Sequence, residues 1–591
     1  MSSGNGDDRL SRMRHSAAHV LATAMLDLFP DAELGIGPPT DDGFYYDFQL
    51  PRALTPDDLQ ALEASMEQHK KSNYTFEYSE HRRNEALAYF KDHNQPFKVE
   101  LINDLPDDET ISYFTSGPFV DLCRGPHVDT TGDIGAFKLL SIAGAYWRGD
   151  EHRPQLQRVY GTAFETEEEL AAHLDRLEEA RRRDHRTLAR DLDLFSINPS
   201  VGAGLVLWHP KGAQIRELLE TYWREEHRKR GYDMVYTPHI GRRELWETSG
   251  HTQWFADGLF PEMELEHQTF INKPMNCPFH VQIYASQTRS YRDLPLRFGE
   301  LGTVYRFERS GTLHGALRVR GLTQDDAHIF CRQDQFADEV SGALDLAKSV
   351  YSTFGFDDYK VDLSVRDTAG DGKFVGSDDL WGLAEQGLID ALERHGIPYD
   401  RVEGEAAFYG PKIDIQVADA IGRMWQLTTI QVDFNLPERF DISYEAEDGT
   451  RKRPVMVHRA IFGAMERFFA VLTEHFAGAF PVWLAPVQVV VVPIADRHVA
   501  YCTDVADRLI DAGLRVDIDQ RAERMNRKIR DAQLQKIPYM LIAGDRDIEA
   551  EQVSVRLRTG GDVGGQSVEQ FLTSVMPIVE SRDPVDLGFS S

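Results

Sequence analysis

The amino-acid sequence predicts a multidomain protein of mixed α+β and α/β class. Its 591 residues leave room for roughly four domains of about 150 residues each. Between residues 200 and 484, helical segments alternate with β-branched and aromatic ones such as DMVYTPHI and MWQLTTIQVDF, which predicts a large, mostly antiparallel sheet. From Val487 the pattern becomes strand, helix, strand, helix and strand. This order predicts a small α/β domain with a parallel sheet.

Changes of pattern divide the chain into four predicted parts. The first combines a helix from Met13 to Leu28 with strands around Gly43–Phe48 and Gly135–Leu140, so it is predicted to be α+β. The second is a charged helical linker that opens with a capping box, Thr166 and Glu169. Its three consecutive arginines, 181–183, are compatible with a solvated helix face or with a phosphate contact. The predicted boundaries are 1–165, 166–199, 200–484 and 485–591.

Composition and charge limit the classes of function. Apolar residues make up 41% of the chain, which is ordinary for a folded protein and excludes a disordered or fibrous one. There are 65 basic and 96 acidic residues, which give a net charge of −31. A field of this sign repels phosphate over long distances, so any contact with nucleic acid must be local.

The sequence predicts a cytoplasmic protein without a membrane span. Its four cysteines, 123, 277, 331 and 502, are too few and too scattered for a disulfide framework. The N-terminus has no apolar signal core. The longest apolar stretch, Ala479–Ala495, is interrupted by prolines and is shorter than the ~20 residues of a bilayer span, which indicates a buried strand instead.

A first group of candidate site residues lies in the N-terminal part. His15 and His19 are four residues apart and therefore share one face of a helix. Far along the chain, Asp121 is followed by Cys123 and His127. Histidine and cysteine are the ligands that zinc prefers, so the pattern alone is compatible with a metal site as well as with structural histidines.

This part of the sequence resembles the editing domain of bacterial-type threonyl-tRNA synthetases. The resemblance rests on HSAAH, GFYYDF, PFKVELI and VDLCRGPHV, in matching order and approximate spacing. It implies an editing pocket made of His15, His19, Tyr46, Lys98, Asp121, Cys123 and His127. That family hydrolyses its ester with an activated water and no metal, whereas a related motif in alanyl-tRNA editing domains binds zinc. We favour the metal-free alternative.

The central part resembles class II aminoacyl-tRNA synthetases. A long helix and a strand ending at Pro238 resemble motif 1, Arg306-Phe-Glu308 resembles the core of motif 2, and GAMERF resembles motif 3. Attack of a carboxylate on ATP joins two anions, so bidentate cations are needed at the α-phosphate. The resemblance implies Arg306 at the α-phosphate, Arg467 at the triphosphate, Glu308 at the adenine amino group and Arg318 at the nucleotide, with Mg²⁺ accompanying ATP.

The same resemblance implies one zinc ion per chain. Cys277, His328 and His458 occupy the family's zinc-ligand positions, although separations of 51 and 130 residues would never reveal a site. Three such ligands leave an open coordination position, which in this family receives the amino and hydroxyl groups of threonine. The resemblance also implies Gln324, Asp326, Tyr409 and Gln426 around the amino acid and Lys412 near the substrates.

This chemistry explains why one chain would carry two sites. A site that binds the hydroxyl rejects valine by roughly 10⁴-fold, because the buried polar site would lack its partner. Serine keeps the hydroxyl and lacks one methyl group, so discrimination reaches only ~10–200-fold. Mischarged serine must then be removed at a second site.

The C-terminal part resembles the anticodon-binding domain of several class II synthetases. The resemblance implies that Arg521, Glu523, Lys528 and Arg530 contact the anticodon, whereas Ala522 and Thr559 depart from the family's Asn and Arg. Leu322 replaces a Phe that stacks on adenine, and Ala464 replaces a common Ser in motif 3. The resemblance begins at the editing domain, so we expect no counterpart of the small N-terminal TGS domain.

Together these features predict a homodimeric member of the threonyl-tRNA synthetase family. It is expected to activate L-threonine with ATP, transfer it to tRNA(Thr) and hydrolyse Ser-tRNA(Thr). One alternative is another class II synthetase, such as a prolyl or seryl enzyme, which the zinc positions and HSAAH disfavour. A second alternative is a synthetase-like RNA-binding regulator, against which the intact Arg306, Arg467 and zinc positions argue.

Overall fold

The fold is given by a computed structural model, which describes residues 4–106, 109–150, 152–367, 374–419, 421–585 and 587–589. The chain divides into two compact units, Met1–Glu178 and Glu179–Ser591. Helices, antiparallel sheets and a C-terminal α/β layer are all present, so the predicted mixed class is confirmed.

The first unit packs helices against two antiparallel sheets. One sheet has the order β1-β3-β8-β7, with β2 added beside β3, and the other has the order β4-β5-β6. The elements are α1 (Gly4–Leu28), β1 (Glu33–Leu34), β2 (Pro39–Thr40), β3 (Gly43–Gln49), α2 (Pro56–Ser72), β4 (Phe76–His81), α3 (Arg83–Asp92), α4 (Pro96–Asp104), β5 (Ile111–Ser116), β6 (Phe119–Leu122), β7 (Ala136–Tyr146), β8 (Gln155–Phe164) and α5 (Glu167–Arg183), which continues into the second unit.

Helix α1 forms because its apolar residues recur at helical spacing. Met13, Ala17, Leu21 and Ala24 are buried and lie on one face. This face joins the core of the unit together with alternating aromatic residues of β3. The predicted helix and both predicted strands of this part are confirmed.

The linker is helical, as predicted, and its capping box is formed. The Glu169 backbone N–H donates to Thr166 Oγ1 over 3.1 Å, and the Thr166 N–H donates to the Glu169 carboxylate over 3.3 Å. Arg183 donates to the His475 carbonyl over 3.0 Å and pairs with Glu179 at 2.7 Å. Arg183 therefore has a structural role.

The second unit is built on an eight-stranded sheet with the order β11-β16-β17-β24-β21-β20-β18-β19. Five of its seven neighbouring pairs are antiparallel, as predicted. Its strands are β11 (Asp233–Met234), β16 (Leu296–Tyr305), β17 (Gly321–Cys331), β18 (Tyr359–Val365), β19 (Asp400–Glu403), β20 (Lys412–Ala418), β21 (Met424–Asp433) and β24 (Val455–Ala464).

Helices and small sheets surround this sheet. The helices are α6 (His185–Leu192), α7 (Pro210–Lys229), α8 (Arg243–Ser249), α9 (His251–Trp254), α10 (Cys277–Ala285), α11 (Phe336–Phe354), α12 (Asp378–Arg394), α13 (Asn435–Arg439) and α14 (Met465–His475). The short strands are β9 (Phe195–Ser196), β10 (Leu207–Trp208), β12 (Ile240–Arg242), β13 (Met263–Leu265), β14 (Gln268–Asn272), β15 (Arg289–Ser290), β22 (Tyr444–Glu445) and β23 (Arg451–Lys452).

One predicted strand is much shorter than expected. Of DMVYTPHI, the residues Asp233 and Met234 form β11, and Ile240 opens the separate strand β12. Between them the chain leaves the ladder, because the Thr237 N–H donates to the Glu300 carboxylate over 2.7 Å and Pro238 has no N–H to offer.

The C-terminal sheet is mixed rather than purely parallel. Its order is β26-β25-β27-β28-β29, and the predicted first three strands are parallel while the last two are antiparallel additions. The elements are β25 (Val489–Pro493), α15 (Val499–Asp511), β26 (Val516–Ile518), α16 (Met525–Leu534), β27 (Tyr539–Ala543), α17 (Asp545–Glu549), β28 (Val553–Leu557), β29 (Asp562–Gln566) and α18 (Val568–Ser581).

The apolar stretch Ala479–Ala495 ends in the fully buried strand β25, as predicted. Its first half contains a turn, in which the Leu484 N–H donates to the Pro481 carbonyl. Among the described residues, none of the helices combines the length and the apolar character that crossing a bilayer requires.

Candidate active sites

A cleft opens on one face of the eight-stranded sheet. Nine residues predicted from the sequence lie together along its wall: Cys277, Arg306, Gln324, Asp326, His328, Tyr409, Gln426, His458 and Arg467. They come from β17, β21 and β24, from the first turns of α10 and α14, and from the segments that follow β16 and precede β20. Residues separated by up to 190 positions in sequence are therefore assembled by strand pairing.

Register explains how the three predicted metal ligands meet. His328 of β17 lies directly opposite His458 of β24, and Cys277 is the first residue of α10. Their ligand atoms all lie within 4.8 Å of one another, and all three residues are buried. One thiol and two imidazoles form a donor set that suits zinc and leaves a coordination position open.

Both histidines have outer hydrogen-bond partners of the kind that orient metal ligands. His458 Nε2 lies 2.8 Å from Asp433 Oδ2, and His328 Nδ1 lies 2.8 Å from His280 Nδ1. Burial lowers the pKa of His328 well below its ordinary value, so the ring is neutral. Burial raises the pKa of the Cys277 thiol well above its ordinary value, so binding a metal there would release its proton.

Two guanidinium groups face the cleft with main-chain partners. Arg306 Nε donates to the Pro274 carbonyl over 3.3 Å, and Arg467 Nε donates to the Leu317 carbonyl over 3.2 Å. Within the described part of the chain, neither arginine has an ion pair. Burial lowers the pKa of both groups, which marks them as desolvated cations. An anionic ligand would supply the missing countercharge.

Three predicted residues lie outside the wall of the cleft. Glu308 and Arg318 pair with each other at 2.9 Å beside it. Lys412 forms an ion pair with Asp414. Asp414 also accepts hydrogen bonds from Gln426 (2.7 Å) and Thr429 (2.8 Å), both of which line the cleft. Asp414 therefore connects Lys412 to two residues that line the cleft.

The two motif departures lie in one apolar cluster. Leu322 is buried with Val304 and Val319, and Ala464 packs against the same group. This wall of the cleft is aliphatic, so an adenine ring would meet apolar contact here instead of aromatic stacking.

His251, which is buried at the start of α9, belongs to no motif found in the sequence. Its Nδ1 lies 2.7 Å from Ser249 Oγ, and its Nε2 lies 2.9 Å from Sδ of Met275, which lines the cleft. Burial lowers the pKa of His251 to about 4, and the charges of His458 and Arg306 add to the effect. No spacing pattern could have identified this residue.

The first unit holds the second predicted site. His15, His19, Cys123 and His127 offer ligand atoms within 4.8 Å of one another. Cys123 Sγ lies 3.3 Å from Nε2 of both His15 and His127. The helix α1 places the two histidines of HSAAH on one face, and Cys123 and His127 follow β6.

The other three predicted residues form a buried triad beside this cluster. Lys98 Nζ lies 2.5 Å from Asp121 Oδ1, the Tyr46 hydroxyl donates to Asp121 Oδ2 over 2.6 Å, and Lys98 donates to the Tyr46 oxygen over 3.0 Å. His19 Nε2 lies 3.8 Å from Asp121, which joins the triad to the cluster. All seven residues therefore come together.

Burial sets the protonation of this cluster. It lowers the pKa of His15, His19 and His127, so these rings are neutral. It raises the pKa of Cys123 to about 12, so the thiol is a poor nucleophile. Neutral imidazoles beside a buried ion pair suit activation of a water molecule, and the four donors also suit zinc.

Of the four predicted anticodon residues, Arg521 and Glu523 lie just before α16, and Lys528 and Arg530 lie within it. Arg521 is exposed and pairs with Asp519 (2.7 Å) and Asp531 (2.9 Å). Lys528 is instead buried, and its ammonium group donates to the Asp519 carbonyl over 2.9 Å. Arg530 is exposed, and Glu523 lies 3.4 Å from Arg527. Lys528 therefore fixes the helix to the sheet.

Comparison with known families matches three regions of the chain. Residues 262–476 match the tRNA synthetase class II core domain (G, H, P, S and T), and residues 488–576 match the anticodon binding domain. Residues 112–160 match the threonyl and alanyl tRNA synthetase second additional domain. The last match includes Asp121, Cys123 and His127.

Relatives named threonine--tRNA ligase match nearly the whole chain. A threonine--tRNA ligase of Acidobacterium capsulatum is 54% identical over 97% of this chain and 85% of its own length. One of Dehalococcoides mccartyi is 55% identical over 93% of this chain and 94% of its own. The solved RNA binding domain of threonyl-tRNA synthetase from Cryptosporidium parvum superposes with a TM-score of 0.64, at 37% identity over 68% of this chain and 99% of that one. With its cleft, its three matched regions and these relatives, the chain belongs to the threonyl-tRNA synthetase family.

Proposed function

We propose that the cleft activates L-threonine with ATP and transfers it to tRNA(Thr), and that the cluster of the first unit hydrolyses mischarged Ser-tRNA(Thr). The observation that carries this proposal is the convergence of Cys277, His328 and His458 with Arg306 and Arg467 on one wall. In this scheme residues 1–165 edit, 166–199 link, 200–484 catalyse and 485–591 read the anticodon.

The arrangement of the cleft supports separate substrate-binding roles for its residues. Arg306 and Arg467 would bind the phosphates and the threonine carboxylate, since both present guanidinium donors without an ion-pair partner in the described chain. Gln426, Asp326 and Tyr409 would orient the amino acid, and the Glu308–Arg318 pair would border the nucleotide. Mg²⁺ would accompany ATP and neutralise its phosphates.

The thiol of Cys277 and the imidazoles of His328 and His458 form a donor set that suits zinc, and these three residues would hold it. When bound, it would act as a Lewis acid toward the amino and hydroxyl groups of threonine. Asp433 and His280 would keep the two histidine rings oriented, because each lies within hydrogen-bond distance of one ring nitrogen.

Amino-acid-dependent ATP–pyrophosphate exchange across the twenty amino acids tests the function. We expect threonine to support the fastest exchange, serine to be weaker by about 10–200-fold, and valine by roughly 10⁴-fold. Preference for proline or serine would contradict the proposal in favour of another class II synthetase. A protein that bound tRNA(Thr) without any exchange would instead be a regulator.

The purified protein is expected to contain one zinc per chain, and Cys277→Ala should remove it, because two neutral imidazoles remain from a three-ligand site. Elemental analysis after dialysis measures the ratio. Cys331→Ala is the matched control, since Cys331 is also buried and its thiol donates to the Val455 carbonyl. Undiminished zinc in Cys277→Ala would contradict the assignment, and loss of zinc from Cys123→Ala would place it in the first unit.

We further propose a homodimer formed through α7 and the segment that follows it. The segment carries exposed apolar groups, since Tyr236 is 80% exposed and Ile240 is 43% exposed. A two-fold dimer is the commonest assembly and would cover them. Light scattering should give twice the 67.2 kDa of one chain, and a monomer at micromolar concentration would contradict the proposal.

We also propose that α16 and the residues before it contact tRNA through exposed cations. Arg521 and Arg530 remain accessible, whereas the Lys528 ammonium group lies in buried hydrogen bonds. Because the whole chain carries a charge of −31, such local cations are the part of the C-terminal region that could meet phosphate or base edges.

A further inference from the structure

A buried row of polar side chains continues behind His328, away from the cleft. His328 Nδ1 lies 2.8 Å from His280 Nδ1, and His280 Nε2 lies 3.0 Å from Glu300 Oε2. Glu300 is also contacted by Thr237 and by Lys273. His280, Glu300 and Lys273 are at most 4% exposed. The sequence pattern gave no reason to select any of them.

The hydrogen bonds at Glu300 show that its carboxylate accepts on both oxygens. Its Oε1 accepts from the Thr237 backbone N–H over 2.7 Å. Lys273 donates to Thr237 Oγ1 over 2.7 Å, so the Thr237 hydroxyl proton is free to be donated to Glu300 Oε2, 2.9 Å away. Burial alone would raise the Glu300 pKa, but the hydrogen bond from His280 and the Lys273 charge hold it below its ordinary value.

Proton placement then follows along the row. An ionised Glu300 has no proton to give, so His280 donates its Nε2–H. With its proton on Nε2, the His280 imidazole leaves Nδ1 as an acceptor. The 2.8 Å contact between the two Nδ1 atoms therefore needs a proton on His328. His328 Nε2 is left with its lone pair, on the side of the ring where Asp326 of the cleft lies 3.7 Å away.

We propose that Glu300, acting through His280, is a positioning residue that fixes the Nδ1–H tautomer of His328 and thereby sets the metal affinity of the cleft. This inference rests on the proposed function, in which Cys277, His328 and His458 hold zinc. His458 has the simpler arrangement, because its Nε2 contacts the Asp433 carboxylate directly. The two imidazole ligands thus differ: His328 is linked to the Glu300 carboxylate through the His280 ring, whereas His458 contacts the Asp433 carboxylate without an intervening ring.

Glu300→Gln tests the proposal with almost no change of shape. The Thr237 backbone N–H can only donate, so it holds the amide oxygen at the Oε1 position and turns the amide NH₂ toward His280 Nε2. His280 would then donate from Nδ1, and His328 would carry its proton on Nε2, where the metal should bind. We expect the affinity of the metal-free protein for Zn²⁺, measured by competition with a chromophoric chelator, to fall about 10–100-fold.

Glu339→Gln is the matched control. Glu339 is also a buried carboxylate, but it pairs with Arg297 at 2.6 Å and does not border the cleft. Its variant should bind Zn²⁺ as tightly as the parent. Circular dichroism checks that both variants remain folded, and Co²⁺ in place of Zn²⁺ reports the thiolate and imidazole ligands by its visible spectrum. Parental Zn²⁺ affinity in folded Glu300→Gln would overturn the proposal.

A second pair of variants separates positioning from packing at His280. In His280→Asn the amide oxygen can occupy the place of Nδ1 and accept from His328, so the affinity should stay within a few fold of the parent. In His280→Leu no acceptor remains, and the loss should match that of Glu300→Gln. Equal losses in both would overturn the proposal. Full Zn²⁺ affinity in Cys277→Ala would instead show that the metal site itself is misassigned.

Discussion

Replacing Arg306 with alanine is expected to reduce threonine-dependent ATP–pyrophosphate exchange by about 10³-fold or more. Arg306 follows β16 and faces the cleft with one main-chain partner, so its remaining donors are available to an anion. Activation concentrates negative charge at the α-phosphate, and a desolvated guanidinium stabilises that charge more strongly than water would. The exchange rate at saturating ATP and threonine is the measurement.

Two further variants sharpen this test. Arg306→Lys keeps the charge but loses the bidentate fork, so it should recover only a small part of the rate. Arg332→Ala is the control, because Arg332 pairs with Asp334 at 2.8 Å beyond the end of β17 and does not line the cleft. Exchange in Arg306→Ala within tenfold of the parent would contradict the proposed role.

Local structure could be predicted where its cause is local. The apolar spacing of α1 and the Thr166–Glu169 capping box are properties of short segments, and both are formed. The antiparallel pair β28 and β29 was missed, although it completes the C-terminal sheet. Pairing depends on partners that lie elsewhere in the chain, so a segment's own residues do not determine it.

The composition of the cleft depends on register, which spacing does not reveal. His328 and His458 are 130 residues apart and lie directly opposite each other. A shift of one residue in either strand would turn a histidine to the other face of the sheet. Family resemblance identified these ligands, whereas His251 and Glu300, which lack a motif, became visible only with the fold.

Burial and local pairing account for the remaining differences between the sequence-based predictions and the structure. A basic run on a helix indicates a solvated or RNA-binding face, yet Lys528 donates to main-chain carbonyls at the end of the parallel strands. Whether a lysine points outward depends on which carbonyls lack partners nearby, and the fold decides this. The same holds for Lys412, which forms an ion pair with Asp414 beside the cleft.

Replacing Cys123 with alanine is expected to slow hydrolysis of pre-charged Ser-tRNA(Thr) by about 10²-fold while leaving threonine activation unchanged. Cys123 Sγ contacts Nε2 of both His15 and His127 at 3.3 Å, so its loss frees two rings that must be oriented to activate water. Activation should persist because Cys123 lies in the Met1–Glu178 unit, which contains no residue of the cleft. Mischarged serine should then accumulate at the level that one missing methyl group allows, roughly one part in 10–200 relative to threonine.

The controls also decide between the two chemistries that suit this cluster. Cys502→Ala removes a buried cysteine of the C-terminal core and should hydrolyse Ser-tRNA(Thr) at the parental rate. Arg306→Ala should show the reverse pattern, with exchange lost and hydrolysis of supplied Ser-tRNA(Thr) retained.

If water is activated without a metal, removing zinc with a chelator should leave hydrolysis intact, because the neutral histidines and the Lys98–Asp121 pair remain. Hydrolysis that stopped with the chelator and returned with zinc would favour the metal alternative. Parental hydrolysis by Cys123→Ala would mean that the first unit does not edit through this cluster.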